Sequence, residues 1–350
     1  MKHWQETTSI FLELARLGAE GQTAALATLV WVEGSSYRRP GAKLLIHGDG
    51  GLTGNVSGGC LEADLRERGQ RVMQTGVPES VHYETGEDDD VLWGLGLGCN
   101  GKVDLFVQPC VPGLWKAHVA NVLKRLEGDG PFALRTVIEG PDVGTCEVLS
   151  DSVSPQTTIG EDGDRVVFVE WLEPPCDLMV IGAGDDAVPL VAMAEQVGFR
   201  VTVVDHRRAY LAEERFPGAR QLVCRRPEDG LGDLPANDRT FVVIMNHAIQ
   251  LDREWAKAYA GTDVPYIGLL GPKSRRDEIL KEISPEARSR CYGPVGLDIG
   301  AEGEAQIALS IIAEVLAVSG AHSGGHLRER GAPIHASDAT EEKRTTGEHG

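Results

Sequence analysis

Residues 178–207 read LMVIGAGDDAVPLVAMAEQVGFRVTVVDHR: an apolar run, a glycine turn, a helix-like stretch and a second apolar run closed by an acid. Gly182 permits a tight turn after the first run, and Gly184 removes the side chain where a pyrophosphate would approach. Ala187 is small enough for close helix–strand packing. A helix opening there points free N–H groups and the positive end of its dipole at an anion. Asp205 stands 23 positions after Gly182, where a carboxylate can bind ribose hydroxyls. One feature opposes a bound nucleotide. Asp185 and Asp186 put negative charge beside the phosphate cradle. Pro189 is also unusual within the first turns, though tolerated that early. A dinucleotide site and a shell of the same fold that has lost its ligand both stay open.

Further apolar runs at 220–224, 239–245 and 265–269 alternate with helical stretches near 187–197, 250–261 and 273–283. The alternation predicts an α/β domain over residues 174–320, a Rossmann-like doubly wound parallel sheet with helices on both faces. A last apolar helix, 304–318, would pack on it. Asn246 and His247 follow the fourth strand at the carboxyl edge, where open sheets bind ligands. His247 is a candidate acid, base or ligand, or else a hydrogen-bonded loop histidine. Pro174-Pro175 marks the boundary with an N-terminal mixed α+β domain, residues 1–173. In that domain a helix is predicted at 3–20, strands at 24–32, 42–47 and 102–108, and helices at 60–75 and 114–127. Short strands should fill 131–172. Residues 321–350 are polar and charged with few large apolar groups, which predicts a disordered tail.

With 350 residues and 41% hydrophobic content, the chain can close two cores. Acids lead bases by 53 to 34, a net charge of −19, so a nucleic-acid partner is not expected. No apolar run reaches the roughly 20 residues of a membrane span. The first residues carry Glu6 and Glu13 and lack a signal peptide's apolar centre, so the expected location is cytoplasmic. Seven scattered cysteines without a CxxC pair read as reduced thiols.

The N-terminal half holds the less ordinary chemistry. Gly34-Ser35-Ser36-Tyr37-Arg38-Arg39-Pro40-Gly41 offers hydroxyls, amides and two guanidiniums, a set suited to an anionic ligand. A solvated turn paired with nearby carboxylates is the alternative. Ser57-Gly58-Gly59-Cys60 precedes a helix, whose N-terminus would lower the pKa of a thiol. Cys60 is therefore a candidate nucleophile, sulfur carrier or soft metal ligand, against the more usual inert buried cysteine. Gly94–Gly101 is a second glycine-rich loop with Gly98 and Cys99 at its mouth, able to present amides to an anion. The run Glu87–Asp90 reads as a solvated face ahead of a metal site. No GxSxG, HExxH or Walker pattern is present.

Seven segments together resemble the XdhC/CoxI family, accessory factors of xanthine dehydrogenase and related molybdenum hydroxylases. They are ALATLVWVEGSSYRRPGAKLLI, GNVSGGCLEADL, YETGEDDDVLWGLGLGCNG, VIGAGDDAVPLV, VVDHR, YIGLLGPKSRR and GPVGLDIGAEGEAQIALSIIAEVLAV. The resemblance spans about residues 5–320. It implies a cytoplasmic chaperone, ahead of a catalyst, that binds molybdenum cofactor and assists its sulfuration and insertion. Implied partners are the hydroxylase apoenzyme and a cysteine desulfurase-type sulfur donor; a homodimer is a candidate assembly. The family's cysteines fall on Cys60 and Cys99, which become the candidate contacts to molybdenum or its exchangeable sulfur. The cofactor's phosphate would suit Arg38, Arg39 or the Gly182–Ala187 turn, Ser35 and Ser36 are further candidate cofactor contacts, and the cofactor would be held between the halves. Where the family usually has GAGH, this chain carries Asp185. The competing expectation is an NAD(P)-dependent oxidoreductase using the C-terminal domain.

Overall fold

The computed structural model describes residues 2–34, 38–85, 101–149 and 154–329. The backbone divides into two units, the first ending at Pro174 and the second beginning at Pro175.

The first unit opens on α1 (Lys2–Ala19), where Ile10, Phe11, Leu14 and Leu17 recur on one stripe and are buried. Each such side chain contributes about 1.5–3 kcal/mol by leaving water. Five antiparallel strands follow: β1 (Ala24–Gly34), β2 (Lys43–His47), β3 (Leu52–Gly54), β4 (Glu79–Thr85) and β5 (Gly101–Cys110). Their order is β3-β2-β1-β5-β4. Alternation along β1 sends Ala25, Ala27 and Leu29 towards α2 (Glu62–Thr75). Ala24 and Leu26 go to the opposite face, against α1 and α3 (Pro112–Leu126). A second antiparallel sheet joins β6 (Phe132–Glu139), β7 (Cys146–Leu149), β8 (Thr158–Asp162) and β9 (Arg165–Leu172) in the order β7-β6-β9-β8.

The register of the five-stranded sheet decides where its loops emerge. Gly101 pairs with both Gly34 and Thr85, Leu44 with Gly54, and Thr28 with Lys43. Strands β1, β3 and β4 therefore end, and β2 and β5 begin, at one end of the sheet.

One buried ion pair joins the two sheets. Lys43 Nζ on β2 donates to both oxygens of Glu170 on β9 at 2.5 and 2.6 Å, and each side chain is 3% exposed. The ammonium also bonds the Gly41 carbonyl at 2.9 Å and Thr7 Oγ1 at 3.3 Å, so its three N–H groups are shared among four acceptors.

The second unit is a six-stranded parallel sheet: β10 (Asp177–Ile181), β11 (Arg200–Asp205), β12 (Ala219–Cys224), β13 (Thr240–Ile244), β14 (Tyr266–Leu269) and β15 (Cys291–Tyr292). The order is β12-β11-β10-β13-β14-β15. β10 and β13 are buried throughout, as strands covered on both faces must be. Met179, Ile181, Val242 and Ile244 pack with α5 (Ile249–Ala260) and α6 (Lys273–Leu280). Alternation sends Leu178, Val180 and Val243 to the other face, where α4 (Ala187–Gln196) packs with α8 (Gly303–Ser319). A short α7 (Pro285–Arg288) precedes β15. This is the doubly wound arrangement expected from the alternation of runs.

Past α8 the chain stays structured to Glu329. The His322 N–H bonds the Ala317 carbonyl at 2.8 Å, and a 3-10 turn covers Leu327–Glu329. The rest of the expected tail, 330–350, lies outside the described residues. No described helix is long and apolar enough to cross a membrane.

Replacing Lys43 with Met leaves the Glu170 carboxylate buried without its cation, and should cost the first unit about 3–5 kcal/mol in urea unfolding. The double variant Lys43→Met with Glu170→Leu should recover most of that loss, because neither charge then remains to be desolvated.

Candidate functional site

At the sheet end where the loops of the first unit emerge, two of the singled-out segments are bonded together. Arg38 is buried; its guanidinium donates to Asn55 Oδ1 at 2.8 Å and to both carboxylate oxygens of Glu6 on α1. The expectation placed Arg38 on an anionic ligand. In the fold its charge is met by Glu6, since a buried guanidinium needs a fixed counter-ion. Arg39 is the exposed member of the pair, while Ser35 and Ser36 lie outside the described residues.

Asn55 opens the segment that carries Cys60. Ser57 Oγ accepts the N–H groups of Gly59, Cys60 and Leu61 at 3.1, 3.1 and 3.2 Å. The Ser57 hydroxyl donates to Glu62, whose other oxygen takes the Ser57 N–H at 3.1 Å. α2 accordingly starts at Glu62 and not at Cys60. The amides expected to stabilise a Cys60 thiolate are turned onto a neighbouring hydroxyl instead, because Ser57 lies close enough to satisfy them within the loop. Cys60 is half-buried at the edge of the apolar cluster beneath α2. Gly58 and Gly59 are exposed, with open space where a Cβ would stand, and Gly59 holds φ +112°. Elsewhere, burial pushes the thiols of Cys110 and Cys146 up, and that of Cys291 up to about 11. These three are poorly suited to thiolate chemistry at neutral pH. Gly98 and Cys99 lie outside the described residues; Gly101, two positions after Cys99, is the residue paired with Gly34 and Thr85.

In the second unit, the sheet order reverses between β10 and β13, and the expected glycine turn sits at that point. Gly182 has φ +116°, and a Cβ there would meet the Met245 carbonyl oxygen at 2.8 Å. Its lack of a side chain serves contact with the neighbouring strand end as well as the turn. At Gly184 a Cβ would stand 3.5 Å from His247 Nε2, so the imidazole borders the cradle. Ala187 is fully buried and packs at the start of α4.

Asp205 is already committed. Its carboxylate accepts the Ala183 N–H at 2.8 Å, the Arg207 N–H at 2.7 Å, and the Arg207 guanidinium at 3.0 and 2.9 Å. Burial opposes its ionisation, but these donors prevail and hold the carboxyl below the usual aspartate range. Arg207 lies over the Tyr210 ring at 3.9 Å. Arg215 donates to the Ala183 and Tyr210 carbonyls at 2.9 and 2.8 Å and to Asp185 Oδ1 at 2.8 Å. The phosphate turn thus carries an anion of its own, Asp185, paired with a cation of its own. Beside His247, Arg275 bonds Asp252 at 3.0 Å through Nε and the Asn246 carbonyl at 2.8 Å through Nη2. Burial nevertheless raises the Asp252 carboxyl above its ordinary value.

Comparison with known proteins follows both units. The model of the XdhC and CoxI family matches residues 17–84, and that of the XdhC Rossmann domain matches residues 178–315. A Bacillus subtilis protein, described as a probable subunit of xanthine dehydrogenase, is 34% identical over 84% of this chain and 93% of its own length. The chain belongs to the XdhC/CoxI family. The Escherichia coli molybdenum cofactor insertion chaperone PaoD is 26% identical, over 91% of this chain and 93% of its own. A Bacillus halodurans crystal structure described as a xanthine dehydrogenase superposes with a TM-score of 0.75 at 30% identity, covering 93% and 98% of the two chains.

Within this XdhC/CoxI chain, several polar partners escape a reading of the sequence: Glu6, Asn55, Arg207, Arg215, Asp252 and Arg275. Glu6 lies 32 positions from Arg38 and Asp252 23 from Arg275, so local spacing carries no trace of either pair. Arg207 alone was within reach, standing two residues after Asp205.

Asp205→Asn should destabilise the second unit by about 1.5–3 kcal/mol at neutral pH, the worth of hydrogen bonds to a charged group. The folded carboxyl lies below its unfolded value, so the wild-type advantage is fully present above about pH 5. It should then shrink as the pH falls through the folded pKa. Urea unfolding at a series of pH values checks both the size and the sign.

Proposed function

We propose that this chain is a carrier for molybdenum cofactor that serves a xanthine dehydrogenase-type molybdenum hydroxylase. It holds the cofactor while a cysteine desulfurase-type donor supplies sulfur, then delivers it to the apoenzyme. Family membership and the role for which the relative PaoD is named support the accessory role. The observation that carries the reading is the Arg38–Asn55 bond. It fastens the loop after β1 to the segment bearing Cys60, at the sheet end where Gly101 also begins.

Chemically, the cargo asks for a soft donor for molybdenum and donors for phosphate. Cys60 offers the first on a segment whose glycines leave approach unobstructed. Arg39, exposed in the adjoining loop, offers the second. Cys99 is proposed as a second thiol on family likeness and on its place next to Gly101. We assign the chain no turnover of its own.

The NAD(P)-dependent reading draws on the intact Gly182–Ala187 turn. Against it stand the prior commitment of Asp205 to Arg207 and the Asp185–Arg215 pair, which puts like charge where a pyrophosphate would lie. Loading the wild-type protein anaerobically with cofactor released from a molybdenum enzyme, and measuring co-eluting molybdenum and pterin, tests the carrier reading. Cys60→Ala and Cys99→Ala should each lower retained molybdenum, and the double variant should abolish it. Retention unchanged in the double variant would overturn the thiol site. NADH titrated to millimolar levels should leave its fluorescence unchanged; saturable enhancement would favour the oxidoreductase.

A further inference from the structure

A cleft of about 410 Å³ lies in the first unit, beside the loop whose Arg38 is bonded to Asn55. Its walls include His3, Trp4, Arg39, Thr157, Trp171 and Glu173. The volume falls in the range of small-molecule sites. We infer that this cleft seats a 2-amino-4-oxopyrimidine ring, the face shared by pterins and guanine, with an attached phosphate on Arg39. The inference deepens the carrier reading and rests on it for the choice of a pterin over guanine.

Each element of that recognition has a group to supply it. The carboxylate of Glu173 is an acceptor-only pair of oxygens, matched to the adjacent ring N–H and exocyclic NH₂ of such a ring. It is held in place by the Trp171 indole, whose Nε1 donates to Glu173 Oε1 at 3.3 Å. Trp171 is fixed in turn, its backbone N–H bonded to Thr157 Oγ1 at 3.1 Å, and it offers a half-buried aromatic surface for stacking. Trp4 is 5% exposed and packs edge-on against Phe132 at 5.5 Å, which makes it a rigid wall. Arg39 brings a planar fork of donors suited to phosphate in a chain of net charge −19.

His3 adds a neutral contact. Burial first, then the charges of Lys43 and Arg38, push its pKa down to about 4. At pH 7 the imidazole therefore adds no positive charge to the cleft, and it both donates and accepts hydrogen bonds. The cleft thus offers contacts to the organic part of the cargo only.

Isothermal titration of the full chain with neopterin monophosphate, GMP, AMP and inorganic phosphate tests the inference. Neopterin monophosphate should bind at least about tenfold more tightly than AMP, which lacks the 2-amino-4-oxo face, a gap of about 1.4 kcal/mol. Glu173→Gln should remove that preference, and Arg39→Ala should remove the advantage of the phosphate. Trp171→Phe should keep binding while Trp171→Ala loses it. GMP binding more tightly than the pterin would overturn the choice of pterin. Equal binding of AMP, or binding indifferent to Glu173→Gln, would overturn the cleft itself. If cofactor loading depends on Cys60 while the cleft variants load normally, this inference falls and the carrier reading stands. If the cleft discriminates as described while thiol substitutions leave molybdenum retention intact, the thiol site falls and the cleft stands.

Discussion

A guanidinium taken out of water must be answered by a fixed carboxylate, and Arg38 is where this requirement organises the first unit. Glu6 supplies the charge from α1 and Asn55 supplies an oxygen from the segment before Cys60, so three parts of the chain meet on one side chain. Removing Glu6 would leave buried charge uncompensated, a cost of several kcal/mol, whereas removing Asn55 would cost one hydrogen bond to a charged group, about 1.5–3 kcal/mol. The arrangement therefore specifies one relative placement of the loop after β1 and the Cys60 segment. A few residues away, Lys43 does the same between sheets, with Glu170. The loops at this end of the sheet are held by electrostatics from within, while Arg39 and residues 58–59 stay exposed.

The same principle separates the two glycine motifs. In the second unit the phosphate turn is satisfied by the protein: Asp205 takes the Ala183 amide and Arg207, while Arg215 spans the Ala183 carbonyl and Asp185. A pyrophosphate arriving there would meet the Asp185 carboxylate and compete with it for Arg215. In the first unit Ser57 gathers the amides of residues 59–61, yet the space above Gly58 and Gly59 stays open. One motif has closed on itself and the other has kept its approach.

Much of the fold was legible because it follows from periodicity. The buried runs of β10 and β13, the stripe Ile10-Leu14-Leu17 and the proline pair at 174–175 each announce themselves over a few consecutive residues. The glycine turn was legible for the same reason. What stayed hidden depends on pairs far apart in sequence. Nothing around Arg38 signals a carboxylate on the first helix, and nothing around Lys43 signals Glu170, 127 positions away. Reading Arg38-Arg39 as a pair of ligand-binding cations treated two neighbours as equivalent, whereas the fold buries one and exposes the other.

The split between a buried and an exposed arginine sets how the proposed carrier would release its cargo. A cargo gripped by buried charges would have to leave them uncompensated on departure, at the cost that makes buried pairs so hard to break. Here the buried cations, Arg38 and Lys43, are neutralised from within the chain by Glu6 and Glu170. Of the groups proposed to meet the guest, Arg39 and residues 58–59 are exposed and Cys60 is half-buried. Solvent-exposed charge pairs are worth about 1 kcal/mol or less, so a contact made through Arg39 would hold the proposed guest only weakly. An internally neutralised frame with exposed groups beside it suits the holding and release that the proposed function asks for.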